Sequence, residues 1–569
     1  MSSPLLRRLA AVVVVSSLVV ACGATVPSPP PSVGPTVTPS SGSSIAPIAA
    51  ACPASRPAAP ERPWWSDRVF YEVFVRSFAD SNGDGIGDLR GLMDHLDALN
   101  DGDPATTTDL GVTALWLMPI ATSPSYHGYD VTDYRTVDPD YGTNEDFKAL
   151  VAAAKSRGID VIVDLVMNHT SVDHPWFQDA RTPGSKHDDW YVWSKTDPGY
   201  GGPAGPVWHQ DGDRWYYGYF WEGMPDLNLT NPAVTDEMDS IAKFWTDEMR
   251  ASGFRLDAAR NLIEDGPKLE NTPATFAWLE GFRSRLQAAD PGALLVGEVW
   301  DTTSVASSYV KDGALDMAFE FPLASSILSA IRLGDAESLR NVQAEVTAAY
   351  PASGYGAFLT NHDQDRVMDV LARDPAAAKQ AATLLLTNPG VPFVYYGEEV
   401  GLRGRKPDEE IRTPMPWTGE APGYGFTTGT PWEAMAEDVA TSNVAAQTGD
   451  PTSLLSWYRT LISLRSARPA LSVGDLTPVE ASSSSVYASV RHDPATGDAV
   501  AVISNLADEP VSGVTLSLAA GPLCGEPNGT ILLGDGAITP PPVNASGGFD
   551  AWLVGDLAAH QDLVVDLSP

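Results

Sequence analysis

The sequence is poor in basic residues. Among its 569 residues, Lys and Arg total 36 against 73 Asp and Glu, which gives a formal net charge of −37. So acidic a chain is repelled by nucleic acid and by anionic lipid headgroups, so we expect no nucleic-acid partner. The acidity suits a neutral soluble substrate or a cation held by clustered carboxylates, although solubility alone also accounts for it.

Long apolar runs are also missing. Residues 9–20 form a short apolar run after Arg7 and Arg8, well below the about 20 residues that a membrane-spanning helix needs. A basic start and a short apolar run predict an export signal over residues 1–21. The residues before Cys22 resemble a bacterial lipobox, which implies acylation of the Cys22 thiol and a lipid-anchored, extracytoplasmic protein. The alternative is an ordinary signal peptide with a chance cysteine.

Cysteine is scarce, with three in the chain. If Cys22 carries lipid, Cys52 and Cys524 remain. Because export implies an oxidising compartment, we predict one disulfide between them, tying the end of a linker to the C-terminal domain. Two free thiols are the alternative.

The chain divides into segments of different composition. Residues 22–62 are dominated by Pro, Ser, Thr and Ala and predict a disordered linker. Residues 63–470 alternate apolar runs with helical stretches, and eight runs of this kind predict a closed (β/α)8 TIM barrel, an α/β fold. The runs cover residues 69–78, 114–120, 161–167, 254–258, 294–300, 317–321, 357–360 and 392–396.

Two further regions flank or interrupt the predicted barrel. The third and fourth runs begin far apart, and the excess at about residues 170–230 is rich in Trp and Tyr. We interpret it as a subdomain inserted after strand 3, whose aromatic side chains form its own small core or stack on sugar rings. Residues 471–569 alternate in short strands and predict a C-terminal β-sandwich.

Reactive side chains follow four of the predicted strands. In a TIM barrel the active site lies at the carboxyl ends of the strands. Charged residues there are costly to bury, and their convergence on one mouth indicates a catalytic site rather than scattered structural ion pairs. The residues concerned are Asp164, Asn168, His169, Arg255, Asp257, Glu298, His362 and Asp363.

Asp257 and Glu298 end neighbouring predicted strands. Neighbouring strands lie about 4.8 Å apart, which fits the roughly 5–5.5 Å carboxyl separation of a retaining glycosidase. Arg255 precedes Asp257 by two residues, points to the same side, and would keep that carboxylate ionised. Glu298, near Trp300, is suited to hold a raised pKa and act as the acid.

The chain resembles the α-amylase family of glycoside hydrolases over about residues 64–470. The resemblance is carried by DLVMNH at 164–169, GFRLDAA at 253–259, GEVW at 297–300 and TNHDQDR at 360–366. It implies Asp257 as nucleophile, Glu298 as general acid and base, and Asp363 as a third carboxylate that binds ring hydroxyls. It also implies that the sugar bound on the non-reducing side is contacted by Tyr129, His169, Arg255, His362 and Arg412.

Finer features of the resemblance bear on specificity. MPDLN at 224–228 is similar to a group intermediate between oligo-1,6-glucosidases and neopullulanases, which includes bacterial α-amylases. Ala258 after the nucleophile is similar to α-1,4-specific members, and Tyr126 stands where exo-acting members place an Asp. Arg260 and Asn261 replace a Lys-His pair that is common in family amylases, so the resemblance does not assign the residues that contact the sugar on the leaving-group side.

An acidic loop follows the first predicted strand. Oxygen-bearing residues alternate over residues 80–88 with Gly85 at the turn, the pattern of a calcium loop, although Gly91 stands where a complete EF-hand has Glu. The same loop binds calcium in oligo-1,6-glucosidase relatives, which implies a Ca2+ site here, with a solvated acidic turn as the alternative. Its implied ligands are Asp80, Asn82, Asp84, Ile86 through its carbonyl, and Asp88.

We therefore expect retaining hydrolysis of α-1,4 bonds in starch or maltooligosaccharides, through a covalent intermediate on Asp257. An α-glucosidase or an α-glucan transglycosylase shares the chemistry as far as that intermediate and differs in the acceptor. A catalytically inactive sugar-binding lipoprotein is a further alternative, against which the intact Asp257, Glu298 and Asp363 argue.

Overall fold

The computed structural model describes residues 49–203 and 205–569. The expected export signal, Cys22 and residues 23–48 of the expected linker lie outside the described residues. Across the part that is described, no helix combines the length and the apolar character needed to span a bilayer.

The catalytic region is a closed barrel of eight parallel strands, which confirms the predicted fold class. Each strand pairs with its neighbours in chain order, and β1 closes the barrel against β8. The strands are β1 (Phe70–Val73), β2 (Ala114–Leu117), β3 (Asp160–Leu165), β4 (Gly253–Leu256), β5 (Leu294–Gly297), β6 (Met317–Phe319), β7 (Tyr355–Ala357) and β8 (Val391–Tyr395).

The seventh strand begins earlier than the sequence predicted. The apolar run at 357–360 was expected to form it, but the ladder involves Gly356, which pairs with β6 and β8, and ends at Ala357. Periodicity could not place this boundary, because residues 358–361 are also buried although they no longer pair with a strand.

Helices surround the barrel, and several begin at residues suited to cap them. Thr143 accepts the Asp146 amide in a reciprocal capping box, and Asn231 caps the helix that Pro232 opens. The α-helices are Leu89–Asp94, Leu96–Leu99, Asn144–Ser156, Pro175–Ala180, Pro232–Lys243, Pro273–Ala289, Thr303–Lys311, Phe321–Leu333, Glu337–Ala349, Val367–Val370, Pro375–Thr387, Asp408–Ile411, Val444–Gln447, Leu454–Ala467 and Pro469–Ser472.

Alternate residues of the strands fill the barrel interior. Phe70 stacks on Phe393 with ring centroids 4.4 Å apart, and Trp116 and Phe319 pack beside them. The intervening residues, such as Tyr71, pack outward against the helices. This layer closes the barrel beneath the carboxyl ends of the strands, so side chains at those ends face a solid floor.

A subdomain interrupts the barrel between β3 and β4, as predicted. Its three-stranded sheet has the order Trp193–Ser194, Arg214–Tyr217, Trp208–Asp211. A hairpin of Gly201–Gly202 with Gly205–Pro206 lies beside it in sequence. A second short ladder, Ala121–Thr122 with Asp133–Val137, follows β2.

The terminal domain is a sandwich of two antiparallel sheets, as predicted. Its strands are β9 (Asp475–Pro478), β10 (Glu480–Ala481), β11 (Val486–Asp493), β12 (Asp498–Asn505), β13 (Val511–Leu518), β14 (Ile531–Leu533), β15 (Phe549–Leu557) and β16 (Asp562–Asp566). One sheet has the order β9-β11-β12-β16-β14 and the other β10-β13-β15. Apolar residues of both sheets form a shared core.

Residues 49–62, the last part of the expected linker, form no helix or strand. Their start is nevertheless fixed to the terminal domain. Cys52 and Cys524 form a disulfide in the structure, the Ala50 amide donates to the Asn544 carbonyl at 3.2 Å, and the Gly525 amide donates to the Ala50 carbonyl at 2.9 Å.

Candidate active site

The ends of β4 and β5 place Asp257 and Glu298 side by side. Leu256 of β4 is in register with Gly297 of β5, and the two carboxylate residues each follow by one position. The Glu298 amide donates to the Leu256 carbonyl at 3.0 Å, which continues the ladder to this point. Pairing between neighbouring strands therefore sets the spacing of the two carboxyl groups.

One buried guanidinium connects three carboxylates. Arg255 is 1% exposed and donates to Asp164, to Asp257 Oδ1 and to Glu298 Oε2, each at 2.9 Å. Glu298 Oε2 also accepts the Ala258 amide at 3.0 Å. Ala258 has a positive φ of 46°, a conformation that non-glycine residues rarely adopt. It directly follows Asp257, where backbone strain of this kind is typical of functional sites.

Burial dominates the electrostatics of the two carboxyl groups. It raises the pKa of Asp257 and the pKa of Glu298, while Arg255 lowers both. The expectation that Arg255 would simply hold Asp257 ionised thus omits burial and the sharing of one guanidinium among three carboxylates. Glutamate has the higher ordinary pKa of the two, so Glu298 is the better holder of a proton.

Asp363 lies in a different electrostatic setting. Burial would raise its pKa, but His362 and Arg412 hold the pKa of Asp363 far below its usual value. Arg412 donates to Asp363 Oδ1 and to Asp408 Oδ2, both at 3.0 Å, and to the His362 carbonyl at 2.9 Å. Asp363 therefore stays ionised throughout the neutral range.

The structure brings all eight predicted catalytic and sugar-contacting residues together. The Tyr129 hydroxyl lies 2.6 Å from His362 Nε2 and 3.2 Å from Asp164 Oδ2, and the two rings stack at 5.6 Å. His169 Nε2 lies 3.1 Å from the Tyr129 carbonyl, and burial lowers the pKa of His169 to about 4, so this ring is neutral.

A cavity of about 650 Å3 opens above these groups. Asp257, Glu298 and Asp363 line it together with Tyr129, His169 and Arg412. Arg255 and His362 were expected to line it as well, but both are buried beneath it, where the carboxylates that they bind separate them from the open space. These two residues therefore act on the exposed groups rather than face the cavity.

The outer rim of the cavity is aromatic. Phe220, Trp221 and Trp300 are 40%, 51% and 44% exposed and line the cavity. Trp300 stacks one face on Phe321 with centroids 4.5 Å apart, and Arg260 donates to the Trp300 carbonyl at 2.5 Å. Of the aromatic residues in the inserted segment, most pack in its core, including Trp190, Trp208, Tyr216 and Tyr217.

Sequence reasoning missed several functional neighbours. Glu72 of β1 is buried and contacts His362, and Asp408 and Lys406 reach the cavity from the segment after β8. A charged residue inside the otherwise apolar β1 was an available signal for Glu72. No comparable pattern pointed to Asp408 or Lys406, because their segment lacks a strand or a long helix to fix its direction.

The expected calcium loop offers the right donor chemistry. All five expected ligands present oxygen, which a hard cation such as Ca2+ requires. Some of these oxygens already accept hydrogen bonds within the loop. Asp80 accepts from the backbone amides of Asn82, Gly83 and Gly85, and Asp88 caps the helix that begins at Leu89. Within residues 49–203 and 205–569, no three His, Cys, Asp or Glu side chains are gathered as a metal group.

The site as a whole has the parts of a glycoside hydrolase. Two carboxyl groups face a cavity at the spacing of adjacent strands, a third is held ionised, and the described residues that line the cavity include no Ser, Thr or Cys. The barrel positions all three at the carboxyl ends of its strands, where such enzymes act.

The comparisons with known proteins agree with this class. Residues 72–474 match the family described as alpha amylase, catalytic domain. Alpha-amylase 3 of Dictyoglomus thermophilum is 40% identical over 75% of this chain and 82% of its own, and trehalose synthase/amylase TreS of Mycolicibacterium smegmatis is 36% identical over 79% and 85%. The crystal structure of the α-amylase from H. orenii superposes with a TM-score of 0.76 at 40% identity, covering 88% of this chain and 99% of that one. The chain belongs to the α-amylase family of glycoside hydrolases and acts on α-glucans by hydrolysis or glycosyl transfer.

Proposed function

We propose that the protein hydrolyses α-1,4-glucosidic bonds of starch and maltooligosaccharides with net retention. The observation that carries this proposal is the pairing of Asp257 and Glu298 on adjacent strand ends through one guanidinium. This placement fits the roughly 5–5.5 Å separation of retaining enzymes better than the roughly 6.5–9.5 Å of inverting ones. The two α-amylases among the relatives support the α-1,4 linkage.

In the first step Asp257 attacks the anomeric carbon. Asp257 Oδ1 is held by Arg255, while Oδ2 accepts no hydrogen bond from the described residues and is free to form the glycosyl ester. The bond from the anomeric carbon to the leaving oxygen breaks, and that oxygen takes the proton of Glu298. Because Oε2 of Glu298 accepts from Arg255 and Ala258, the proton resides on Oε1.

In the second step Glu298, now a carboxylate, removes a proton from water. The water oxygen attacks the anomeric carbon from the face that the leaving group vacated, and Asp257 departs as a carboxylate. Two inversions give net retention. Asp363, kept ionised by Arg412 and His362, is placed to bind hydroxyls of the sugar ring during both steps.

The test is a product analysis of the full chain on soluble starch and maltopentaose, with Glu298→Gln in parallel. Proton NMR of fresh product should show α-anomeric oligosaccharides of mixed length. Glu298→Gln should reduce the rate by roughly 10²–10⁴-fold, the usual share of a general acid. Early β-anomers, or equal turnover by the variant, would contradict the proposal.

Glycosyl transfer is the second candidate. It is favoured by the exposed Trp300 beside Glu298, a surface on which an acceptor sugar could displace water, and by the relative named trehalose synthase/amylase. The same NMR experiment distinguishes the two outcomes, because transfer gives products longer than the substrate, or a new linkage, before glucose accumulates.

We also propose that the loop after β1 binds Ca2+ through Asp80, Asn82, Asp84, Asp88 and the Ile86 carbonyl. Its alternating oxygen donors and the Gly85 amide bond to Asp80 at 2.8 Å support this. The ion would stabilise the loop, and it has no part in the bond-breaking steps. Added Ca2+ should raise Tm relative to EDTA, and Asp84→Asn, which removes one negative charge from the loop, should reduce the difference. Asp103→Asn, in another acidic turn, is the control and should preserve it.

Export and lipid anchoring at Cys22 form a separate proposal. Its support is the sequence alone, namely the basic start, the short apolar run and the residue before Cys22. In cells, Cys22→Ala should move the protein from the membrane fraction to the soluble extracytoplasmic fraction. Unchanged fractionation of that variant would contradict anchoring at this residue.

A further inference from the structure

Glu72 is a buried carboxylate with no access to the cavity. It is 2% exposed and is the charged residue of β1, whose other residues are Phe70, Tyr71 and Val73. Like Phe70, two positions earlier, it points into the barrel interior, beneath the strand ends. A carboxylate buried this deeply is costly unless it is paired, so its partner identifies its role.

That partner is His362. Glu72 Oε1 lies 2.6 Å from His362 Nδ1, and both side chains are at most 2% exposed. On the other side of the ring, His362 Nε2 lies 2.6 Å from the Tyr129 hydroxyl and 3.2 Å from Asp363 Oδ2. The imidazole therefore links a carboxylate of the barrel interior to a carboxylate of the cavity.

A carboxylate oxygen lies beside each ring nitrogen of His362. His362 Nε2 faces Asp363 Oδ2 at 3.2 Å, and the adjacent Tyr129 hydroxyl, which donates to Asp164 at 3.2 Å, is able to accept from the same nitrogen. His362 Nδ1 faces a carboxylate oxygen, which accepts. A neutral imidazole carries one hydrogen and would leave one of these contacts without a donor.

The closest charges around His362 also favour its protonated form. Asp363 and Glu72 are the close charges, Asp164 and Asp257 lie further off, and Arg255 and Arg412 oppose them. Trp116 and Tyr129 cover the ring and exclude water. Burial lowers the pKa of His362, but Asp363 and Glu72 raise it to about 9.

We propose that Glu72 is a positioning residue that keeps His362 protonated, so that His362 in turn holds Asp363 ionised and oriented in the cavity. Glu72 itself touches no substrate. The activity consequences rest on the proposed function, since they assume that Asp363 binds the sugar during hydrolysis. The protonation of His362 does not depend on that assumption and can be measured directly.

The first measurement is 15N NMR of the histidine side chains in the full chain, labelled at histidine. At pH 8, His362 should show two protonated ring nitrogens in the wild-type protein. Glu72→Gln should make the ring neutral at that pH, because removing an opposite charge at this range lowers a pKa by roughly 1–3 units. His362→Asn assigns the resonance. A neutral His362 in the wild-type protein at pH 7 would overturn the proposal, even if the enzyme proved inactive on starch.

The second measurement is the pH profile of kcat/KM on an aryl maltooligosaccharide. Glu72→Gln should keep most activity at pH 6 and should move the alkaline limb to lower pH by about one unit or more. Glu320→Gln is the matched control, because Glu320 is buried at the end of β6 and binds Thr303 instead of the site. An alkaline limb that shifts equally in both variants, or in neither, would reject the role assigned to Glu72.

Discussion

The floor and the rim of the active-site cavity are built in opposite ways. On the floor, Arg255, Asp164 and His362 are fully buried and joined by ion pairs and hydrogen bonds of 2.6–3.2 Å. On the rim, Phe220 and Trp221 are 40% and 51% exposed and come from a loop of the inserted subdomain. The floor concentrates buried charges, and the rim offers exposed aromatic surface.

This difference indicates a division of tasks. Preorganised charges act strongly where water is excluded, so bond breaking belongs to the floor. Stacking on an exposed ring gives modest binding and tolerates different partners. In the proposed mechanism hydrolysis and transfer share the floor chemistry, and we expect the acceptor to be chosen at the rim. Substitutions in the floor should therefore mainly lower kcat, whereas substitutions in the rim should mainly raise KM.

The largest effect should come from Asp257→Asn. An amide cannot form the glycosyl ester, so we expect kcat to fall by roughly 10⁴-fold or more, as it does when other enzymes lose the nucleophile of a group of cooperating catalytic residues. The measurement is reducing-sugar release from maltopentaose. Trp221→Ala, on the rim, is the control and should retain kcat within about one order of magnitude. Comparable losses in both variants would remove the distinction between floor and rim.

Arg255→Met should cause the largest loss of stability. It leaves Asp164, Asp257 and Glu298 buried without their shared cation, and breaking a buried pair costs about 3–5 kcal/mol. Thermal unfolding of the full chain at pH 7 measures the change. Arg157→Met breaks the exposed pair with Asp97 and should cost at most about 1 kcal/mol. Equal Tm values for the two variants would show that the floor is not held together by Arg255.

Two buried carboxyl groups that form no ion pair, Glu398 and Glu399, test the effect of burial, which is the largest cause of their pKa shifts. Burial raises the pKa of Glu398 to about 8 and of Glu399 to about 7, and Tyr458 and Tyr71 donate to them at 2.7 and 2.8 Å. A carboxyl with a raised folded-state pKa binds its proton more tightly in the folded protein. Its contribution to stability is therefore complete below the unfolded pKa of about 4.3 and is lost as the pH rises through 7–8.

Glu398→Gln or Glu399→Gln should accordingly flatten the decline of Tm between pH 6 and pH 9. Each amide mimics the protonated acid, and the expected gain at pH 9 is on the order of 1 kcal/mol. Glu280→Gln, on an exposed helix face, should leave the profile unchanged. If Tm declined equally steeply with pH in all three variants, the loss of stability at alkaline pH would come from other groups.

The contrast between floor and rim also explains what the sequence could predict. Asp257 and Glu298 directly follow strands whose apolar runs are visible, so strand pairing fixes where their side chains meet. Asp363 lies six residues beyond the end of β7, and its position is fixed by its contacts with His362 and Arg412. Glu72 was missed although it is the charged residue of an apolar run, and its contact with His362 depends on how the strands of the barrel close. The sequence showed that Trp300 lies near Glu298, because only one residue separates them. Its stacking on Phe321 and the hydrogen bond from Arg260 to its carbonyl arise from tertiary packing, which the sequence does not show.

The smallest effect, and the one most specific to the rim, should come from Trp300→Ala. Trp300 lies two residues beyond Glu298, the proposed acid, and it stacks one face on Phe321 and is 44% exposed where it lines the cavity. We expect it to contact the sugar on the leaving-group side. Loss of a stacked sugar at about 0.5–1.5 kcal/mol should raise KM for maltopentaose by roughly 2–12-fold, with kcat nearly unchanged.

Hydrolysis of α-maltosyl fluoride tests where on the cavity that sugar sits. Fluoride places no sugar on the leaving-group side, so Trp300→Ala should hydrolyse it as the wild-type protein does, while any transfer to added maltose should decline. Trp300→Phe, which keeps an aromatic face, should restore most of the affinity for maltopentaose. If Trp300→Ala slowed the fluoride reaction as much as the maltopentaose reaction, Trp300 would instead support the floor through the stacking of its ring on Phe321, and Trp300 would then count as part of the floor.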